Sequence, residues 1–183
     1  AADLLGLETL NTLQLMSELE SVEGRFQYLI SKNNITAIVD YAHTPDALKN
    51  VLETINTIRT KNEELITVVG CGGDRDISKR PKMGAIAATL STKVIFTSDN
   101  PRNENPATII DAIEKGVPGE YFSKTISISD RKQAIKAACQ LANEGDIILI
   151  AGKGHETYQE IKGERFGFDD FKIINELLKA LNK

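Results

Sequence analysis

Four short segments gather most of the residues able to do chemistry. They are Asp40-Tyr41-Ala42-His43-Thr44-Pro45-Asp46, Gly70-Cys71-Gly72-Gly73-Asp74-Arg75-Asp76, Ser98-Asp99-Asn100-Pro101-Arg102 and Gly152-Lys153-Gly154-His155-Glu156. Arg75 and Arg102 suit carboxylates, because a guanidinium offers two parallel N–H donors to two carboxylate oxygens. Asn100 can donate and accept, and Glu156 would attract an ammonium group. Together these side chains describe a pocket for a zwitterionic amino acid that carries an extra carboxylate. Asp40 and His43 form a different pair, in which a carboxylate can hold ribose hydroxyls and an imidazole can approach a phosphate.

Each segment follows a short apolar run, and that regularity shows what must position it. Residues 35–39, 65–69, 94–97, 125–128 and 147–150 are rich in β-branched residues and read as strands. Helices are expected over 45–59 (Thr44 as N-cap, Pro45 at its first position), 78–90, 106–115, 130–143 and 169–181. Residues 158–161 and 164–168 flank Lys162-Gly163 like a hairpin. Strands alternating with amphipathic helices predict a Rossmann-like α/β fold, a mostly parallel sheet covered by helices on both faces, with the hairpin added near the C-terminus. Such a sheet puts every strand's C-terminal end on one edge, where ligands bind. The four segments should therefore converge.

Taken singly, each has a plainer explanation. Gly70 to Gly73 could be a tight turn, Lys79-Arg80 a solvated helix face, Asp99-Asn100-Pro101 a turn and His43 a structural histidine. The glycines lack the spacing of a dinucleotide fingerprint, which argues against a nicotinamide-dependent oxidoreductase. Their joint occurrence on one edge is what favours a binding site.

Bulk properties narrow the class. The 183 residues are 41% hydrophobic and 26% charged, as expected of a globular domain, and the net charge of -4 argues against nucleic acid as a partner. No apolar run approaches the ~20 residues that cross a bilayer, and no signal peptide is expected. The two cysteines, Cys71 and Cys139, offer neither a disulfide framework nor metal-ligand spacing. They read as packed thiols in a reducing, cytoplasmic setting.

In this order, the four segments resemble the carboxy-terminal signature of the Mur ligases, and in detail that of members adding meso-diaminopimelate to a UDP-linked muramoyl-L-Ala-D-Glu precursor of peptidoglycan. The resemblance covers nearly the whole chain, with Gly24-Arg25-Phe26 included, and departs from the usual pattern at Ser78 and Asn105. It implies a three-domain enzyme in which ATP activates the muramoyl peptide's carboxylate as an acyl phosphate and the amino acid's amine displaces the phosphate. It further implies that Arg75, Asn100, Arg102, Gly152 and Glu156 hold meso-diaminopimelate, while Arg25, Asp40 and His43 reach the nucleotide. Arg102 marks selection of meso-diaminopimelate, since lysine-adding members generally lack it.

The chain carries no Gly-x-x-x-x-Gly-Lys-[Ser/Thr] loop. By the resemblance, ATP and Mg2+ would be held mainly by a central domain, and residues 1–20, with leucines at nearly helical spacing, would be that domain's tail and hinge. Residues 21–183 would be the carboxy-terminal domain, inactive alone and without metal ligands or catalytic residues of its own. Alternatives are a stand-alone amino-acid or nucleotide binding module, a ligase selecting L-lysine, and a related folate glutamate ligase that shares the Asp-x-x-His element.

Overall fold

A computed structural model of the chain describes residues 24–60 and 62–183. The leucine-rich segment over 1–20 lies outside them. Among the described residues, eight strands and five α-helices follow in the order β1 (Gln27–Ile30), β2 (Thr36–Asp40), α1 (Pro45–Ile58), β3 (Leu65–Val69), α2 (Lys79–Leu90), β4 (Lys93–Phe96), α3 (Pro106–Glu114), β5 (Thr125–Ser127), α4 (Arg131–Leu141), β6 (Ile147–Ala151), β7 (Tyr158–Ile161), β8 (Glu164–Gly167) and α5 (Asp170–Ala180). A 3-10 turn over Gly119–Lys124 leads into β5.

Six strands form one sheet in the order β1-β2-β6-β3-β4-β5, and β7 pairs with β8 as a separate hairpin. All neighbours in the large sheet are parallel except β1, which runs antiparallel to β2. The expected α/β architecture is therefore what the chain adopts. The sequence reading passed over β1, because Gln27-Tyr28-Leu29-Ile30 is a half-exposed edge strand whose short alternating pattern gives a weak signal. It also passed over the 3-10 turn.

The helices start where small polar residues can satisfy orphan amides. Thr44, Asn105, Asp130 and Asp169 each accept a hydrogen bond from a backbone N–H in the first turn of α1, α3, α4 and α5 respectively. Each such cap is worth about 1 kcal/mol. Strand side chains alternate between two cores. Leu65, Val69 and Phe96 face α1, α2 and α3, while Ile66, Val68 and Ile150 face α4 and α5. Helix α2 packs between α1 and α3, close enough that a Cβ on Gly84 would lie 2.1 Å from Ile113 O. No helix among the described residues is long and apolar enough to cross a membrane.

Beneath the C-terminal edge lies a fully buried ion pair. Arg131 Nε and Nη2 donate to the two carboxylate oxygens of Asp170, at 2.9 and 2.8 Å. Nη2 also donates to Ala151 O at 3.1 Å, and Nη1 to Ser98 O at 3.4 Å. The pair thus joins the first residues of α4 and α5 to the end of β6 and the loop after β4. Asp170→Ala would leave the Arg131 charge buried and unpaired, and urea denaturation of the chain should show a loss of about 3–5 kcal/mol; a loss within experimental error would refute that structural role.

Both cysteines are buried, and burial pushes each thiol up to about 12. Cys71 Sγ packs 3.6 Å from Met83 Sδ. With little thiolate at neutral pH, the folded chain should resist iodoacetamide and react only on unfolding. Rapid alkylation at native conditions, followed by mass spectrometry, would contradict this.

Candidate functional site

The strand order explains how segments far apart in sequence come to lie side by side. Strand β6 is inserted between β2 and β3, so Gly152–Glu156 emerges between the Asp40 loop on one side and the Gly70 loop on the other. The Asp99 loop leaves the next strand, β4. All four chemical segments therefore occupy the C-terminal edge, as the sequence implied, with the β6 loop in the middle.

On the β3–β4 side the loops are bonded to each other directly. Gly73 N donates to Asn100 O at 2.8 Å, and Arg102 Nη1 donates back to Gly73 O at 2.8 Å. A Cβ on Gly72 would lie 2.9 Å from Arg102 Nη1 and 3.7 Å from Arg75 Cγ, so the two arginines flank Gly72. Arg75 is exposed. The turn that carries it is fastened by Glu104, whose Oε1 accepts from Arg80 Nη2 at 2.8 Å and from Asp74 N at 2.6 Å. These bonds hold the Glu104 carboxyl below its ordinary value, the Arg80 bond contributing most.

Arg102 has a left-handed backbone, φ 49°, a costly conformation for a residue with a Cβ. The hairpin holds it there: Arg102 N donates to Glu160 O at 3.0 Å, and Lys162 N donates to Arg102 O at 2.8 Å. Its Nε lies 3.5 Å from Glu160 Oε2. The guanidinium is thus partly engaged by the protein itself. Nη2 keeps no protein partner among the described residues, so it can still meet a ligand oxygen.

At the centre is a residue to which the sequence reading gave no role. Lys153 has no solvent exposure. Its Nζ donates to Asn100 Oδ1 at 3.0 Å and to Glu156 Oε2 at 3.1 Å, and lies 3.7 Å from Asp99 Oδ1. Asn100 Nδ2 donates to Glu156 Oε2 at 2.8 Å. Asp99 Oδ1 is buried without a hydrogen bond among the described residues. Burial pushes its carboxyl up, against the opposing pull of Arg131 and Lys153. Gly152, at φ 118°, passes so near that a Cβ there would sit 3.0 Å from Asp99 Oδ2. The burial of Lys153 depends on contacts that local sequence pattern does not record.

The remaining predicted residues form a second group on the β2 side. Asp40 Oδ2 accepts from Phe26 N at 2.8 Å, which brings the exposed Arg25 beside it. Gly24 lies against the β6 loop, where a Cβ would be 1.9 Å from His155 N. Tyr41 lies between two imidazoles, 4.6 Å from the His43 ring and 5.2 Å from His155. His43 Nδ1 is 2.9 Å from Tyr41 O, a contact that requires the proton on Nδ1. The structure thus brings together Arg75, Asn100, Arg102, Gly152 and Glu156 in one group and Arg25, Asp40 and His43 in another, separated by the β6 loop. Among the described residues no three His, Cys, Asp or Glu side chains gather as a metal site would require.

Residues 24–154 match the family described as Mur ligase, glutamate ligase domain. The UDP-N-acetylmuramoyl-L-alanyl-D-glutamate–2,6-diaminopimelate ligase of Cytophaga hutchinsonii is 58% identical over 182 residues, covering 100% of this chain and 37% of that protein. The ligase of the same name from Bacteroides thetaiotaomicron is 52% identical over 177 residues, covering 97% and 37%. A solved structure bearing that ligase name superposes with a TM-score of 0.81 at 39% identity, covering 100% of this chain and 37% of the other. Two more distant structures share the fold: a UDP-N-acetylmuramate-alanine ligase of Thermotoga maritima at a TM-score of 0.57, and a folylpolyglutamate synthase/dihydrofolate synthase of Yersinia pestis at 0.55. The chain spans 37% of the length of each of the two curated relatives above. By its fold, its ordered edge loops and a family match over residues 24–154, the chain belongs to the Mur ligase family as a carboxy-terminal, glutamate ligase domain.

Proposed function

We propose that the chain is the amino-acid-binding domain of an ATP-dependent ligase that adds meso-diaminopimelate to UDP-N-acetylmuramoyl-L-alanyl-D-glutamate, a step of peptidoglycan precursor synthesis. The observation that carries this reading is the grouping of Arg102, Asn100 and Glu156 on one loop cluster, with Arg75 at its lip. Arg102 Nη2 and Arg75 offer N–H donors to carboxylates, while Glu156 offers an oxygen to an ammonium. A ligand with two amino-acid ends joined by an alkyl chain uses all of them. L-Lysine lacks the second carboxylate and would leave Arg102 without its partner, which is why we favour meso-diaminopimelate.

The nucleotide would be met on the other side of the β6 loop. Asp40 Oδ2 is already engaged by Phe26 N, which leaves Oδ1 for a ribose hydroxyl. His43, protonated on Nδ1, leaves Nε2 for a nucleotide oxygen or a water beside it. Arg25 supplies a cation close to Asp40. These residues fit the edge of an ATP site. ATP supplies the activated phosphoryl group that converts the muramoyl carboxylate into an acyl phosphate. We assign no Mg2+ ligand to the described residues. The phosphate cradle and the metal would be supplied by segments beyond this domain, consistent with the absence of a phosphate-loop motif in the sequence. In this reading residues 21–183 are the domain and 1–20 the connection to its neighbour.

Two outcomes follow. The purified 183-residue chain should neither hydrolyse ATP nor ligate diaminopimelate in a coupled phosphate-release assay; ligation by the chain alone would overturn the division of labour. In the full-length protein, Arg102→Ala should lower kcat/KM for meso-diaminopimelate at least about tenfold while changing weak turnover of L-lysine little, because a hydrogen bond to a charged group is worth about 1.5–3 kcal/mol. An unchanged preference would remove Arg102 from its assigned role.

A further inference from the structure

Lys153 is the one fully buried lysine among the described residues, and none of the roles assigned above uses it. Hydrogen-bond capacity around it can be counted atom by atom. Asn100 Oδ1 accepts from Lys153 Nζ at 3.0 Å and from Glu160 N at 2.9 Å, so both of its lone pairs are taken. Two donors facing one atom fix which end of the Asn100 amide is oxygen. The NH2 end must then point at Glu156, donating one hydrogen to Oε2 at 2.8 Å and keeping the other. Glu156 Oε2 accepts from both Asn100 and Lys153, so that oxygen is also committed, while Oε1 has no protein partner among the described residues.

What remains unspent is one N–H of Asn100 and one oxygen of Glu156, side by side. That remainder is complementary to a carboxylate and an ammonium borne on a single carbon. Without the Lys153 cation, two things would change. The Asn100 amide would lose one of the two donors that orient it, and the Glu156 and Asp99 carboxylates would face each other with less compensation. The charged groups that meet at this point are Asp99, Lys153 and Glu156, with the Arg131–Asp170 pair beneath.

We propose that Lys153 is the positioning residue of the amino-acid site, its buried ammonium turning Asn100 and Glu156 so that they present one donor and one acceptor to the zwitterionic end of the incoming amino acid. The inference rests on the reading of this edge as the amino-acid site. Lys153 itself touches no substrate. It acts by preorganisation, which saves the ligand the cost of ordering the two side chains.

The experiment uses the full-length ligase with Lys153→Met, which keeps an unbranched stem and drops the charge, and Lys153→Gln, which keeps a donor toward Asn100. Steady-state kinetics would be run in meso-diaminopimelate, ATP and the UDP-muramoyl dipeptide separately, with the thermal transition as the measure of folding. Lys153→Met should raise KM for meso-diaminopimelate about tenfold or more, as expected for losing hydrogen bonds to charged groups. The KM values for ATP and dipeptide should stay within about twofold of wild type, the mark of a loss confined to one ligand's binding. Lys153→Gln should recover part of the difference. An unchanged diaminopimelate KM in either folded variant would overturn the proposal, as would a parallel rise in all three KM values. Failure of both variants to fold would assign Lys153 to stability and overturn it too. If instead the wild-type ligase does not use meso-diaminopimelate, it is the parent reading that falls, and the two failures are told apart by that control.

Discussion

The site stands on the buried Arg131–Asp170 pair. An arginine with no solvent exposure requires a partner for its charge and acceptors for its remaining N–H groups. Asp170 supplies the first, in a two-pronged contact, and Ser98 O and Ala151 O supply the second. Those two carbonyls belong to the residues immediately before Asp99 and Gly152. The same guanidinium therefore sets the departure points of the two loops whose side chains meet at Lys153. Since Arg131 and Asp170 are also the first residues of α4 and α5, the docking of both helices on that face of the sheet is coupled to the geometry of the edge.

Above this pair, the insertion of β6 decides what is near what. It is the last strand of the large sheet in sequence and the third in space, so the loop it carries can touch both neighbouring groups. Its side chains serve the two groups differently. Lys153 and Glu156 turn toward Asn100, whereas His155 packs beside Tyr41. Gly154, at φ 52°, lets the backbone pass where a Cβ would come within 2.5 Å of Gly24 O and 2.7 Å of Tyr41 Cβ. Short, glycine-flanked spacing is what allows successive residues to face opposite sides of one loop. In the proposed ligase this places the amino acid and the nucleotide on the two sides of a single five-residue segment.

How much of this could be read in advance depended on whether the signal was local. The β-branched runs at β2, β3 and β6, and the Thr44-Pro45 start of α1, are local features. They gave the elements to within a residue or two. The four polar segments were equally visible, since parallel topology sends every strand's C-terminal end to one edge. Their sharing of one edge follows from parallel topology, whereas which of them become neighbours depends on strand order. Three things were out of reach. β1 is a half-exposed edge strand that owes its place to pairing with β2. The Arg131–Asp170 pair links residues 39 apart in sequence, each of which alone resembles an ordinary helix-start charge. Lys153 acquires its meaning from Asn100, 53 residues earlier, and in sequence is one more lysine among glycines.

The hairpin bears on the proposed selectivity in a way that Arg102 alone does not. A left-handed arginine persists when its surroundings over-determine it, and here the determinants are backbone bonds to Glu160 and Lys162, about sixty residues along the chain. The same hairpin supplies Glu160 N to Asn100 Oδ1 and Gln159 Nε2 to Asp99 O. Residues 159–162 thus fix the backbone of Arg102 and the side-chain amide of Asn100 together. These main-chain and amide contacts hold the separation between the Arg102 cation and the Asn100–Glu156 pair, and the same segment adds the charge of the Glu160 carboxylate beside Arg102 Nε. In the proposed ligase, the distance between the two ends of the amino acid would be matched by the spacing of a hairpin strand and a loop. On that proposal, exchange of Arg102 for another side chain would alter which group is recognised, while the span over which recognition operates would remain a property of the hairpin.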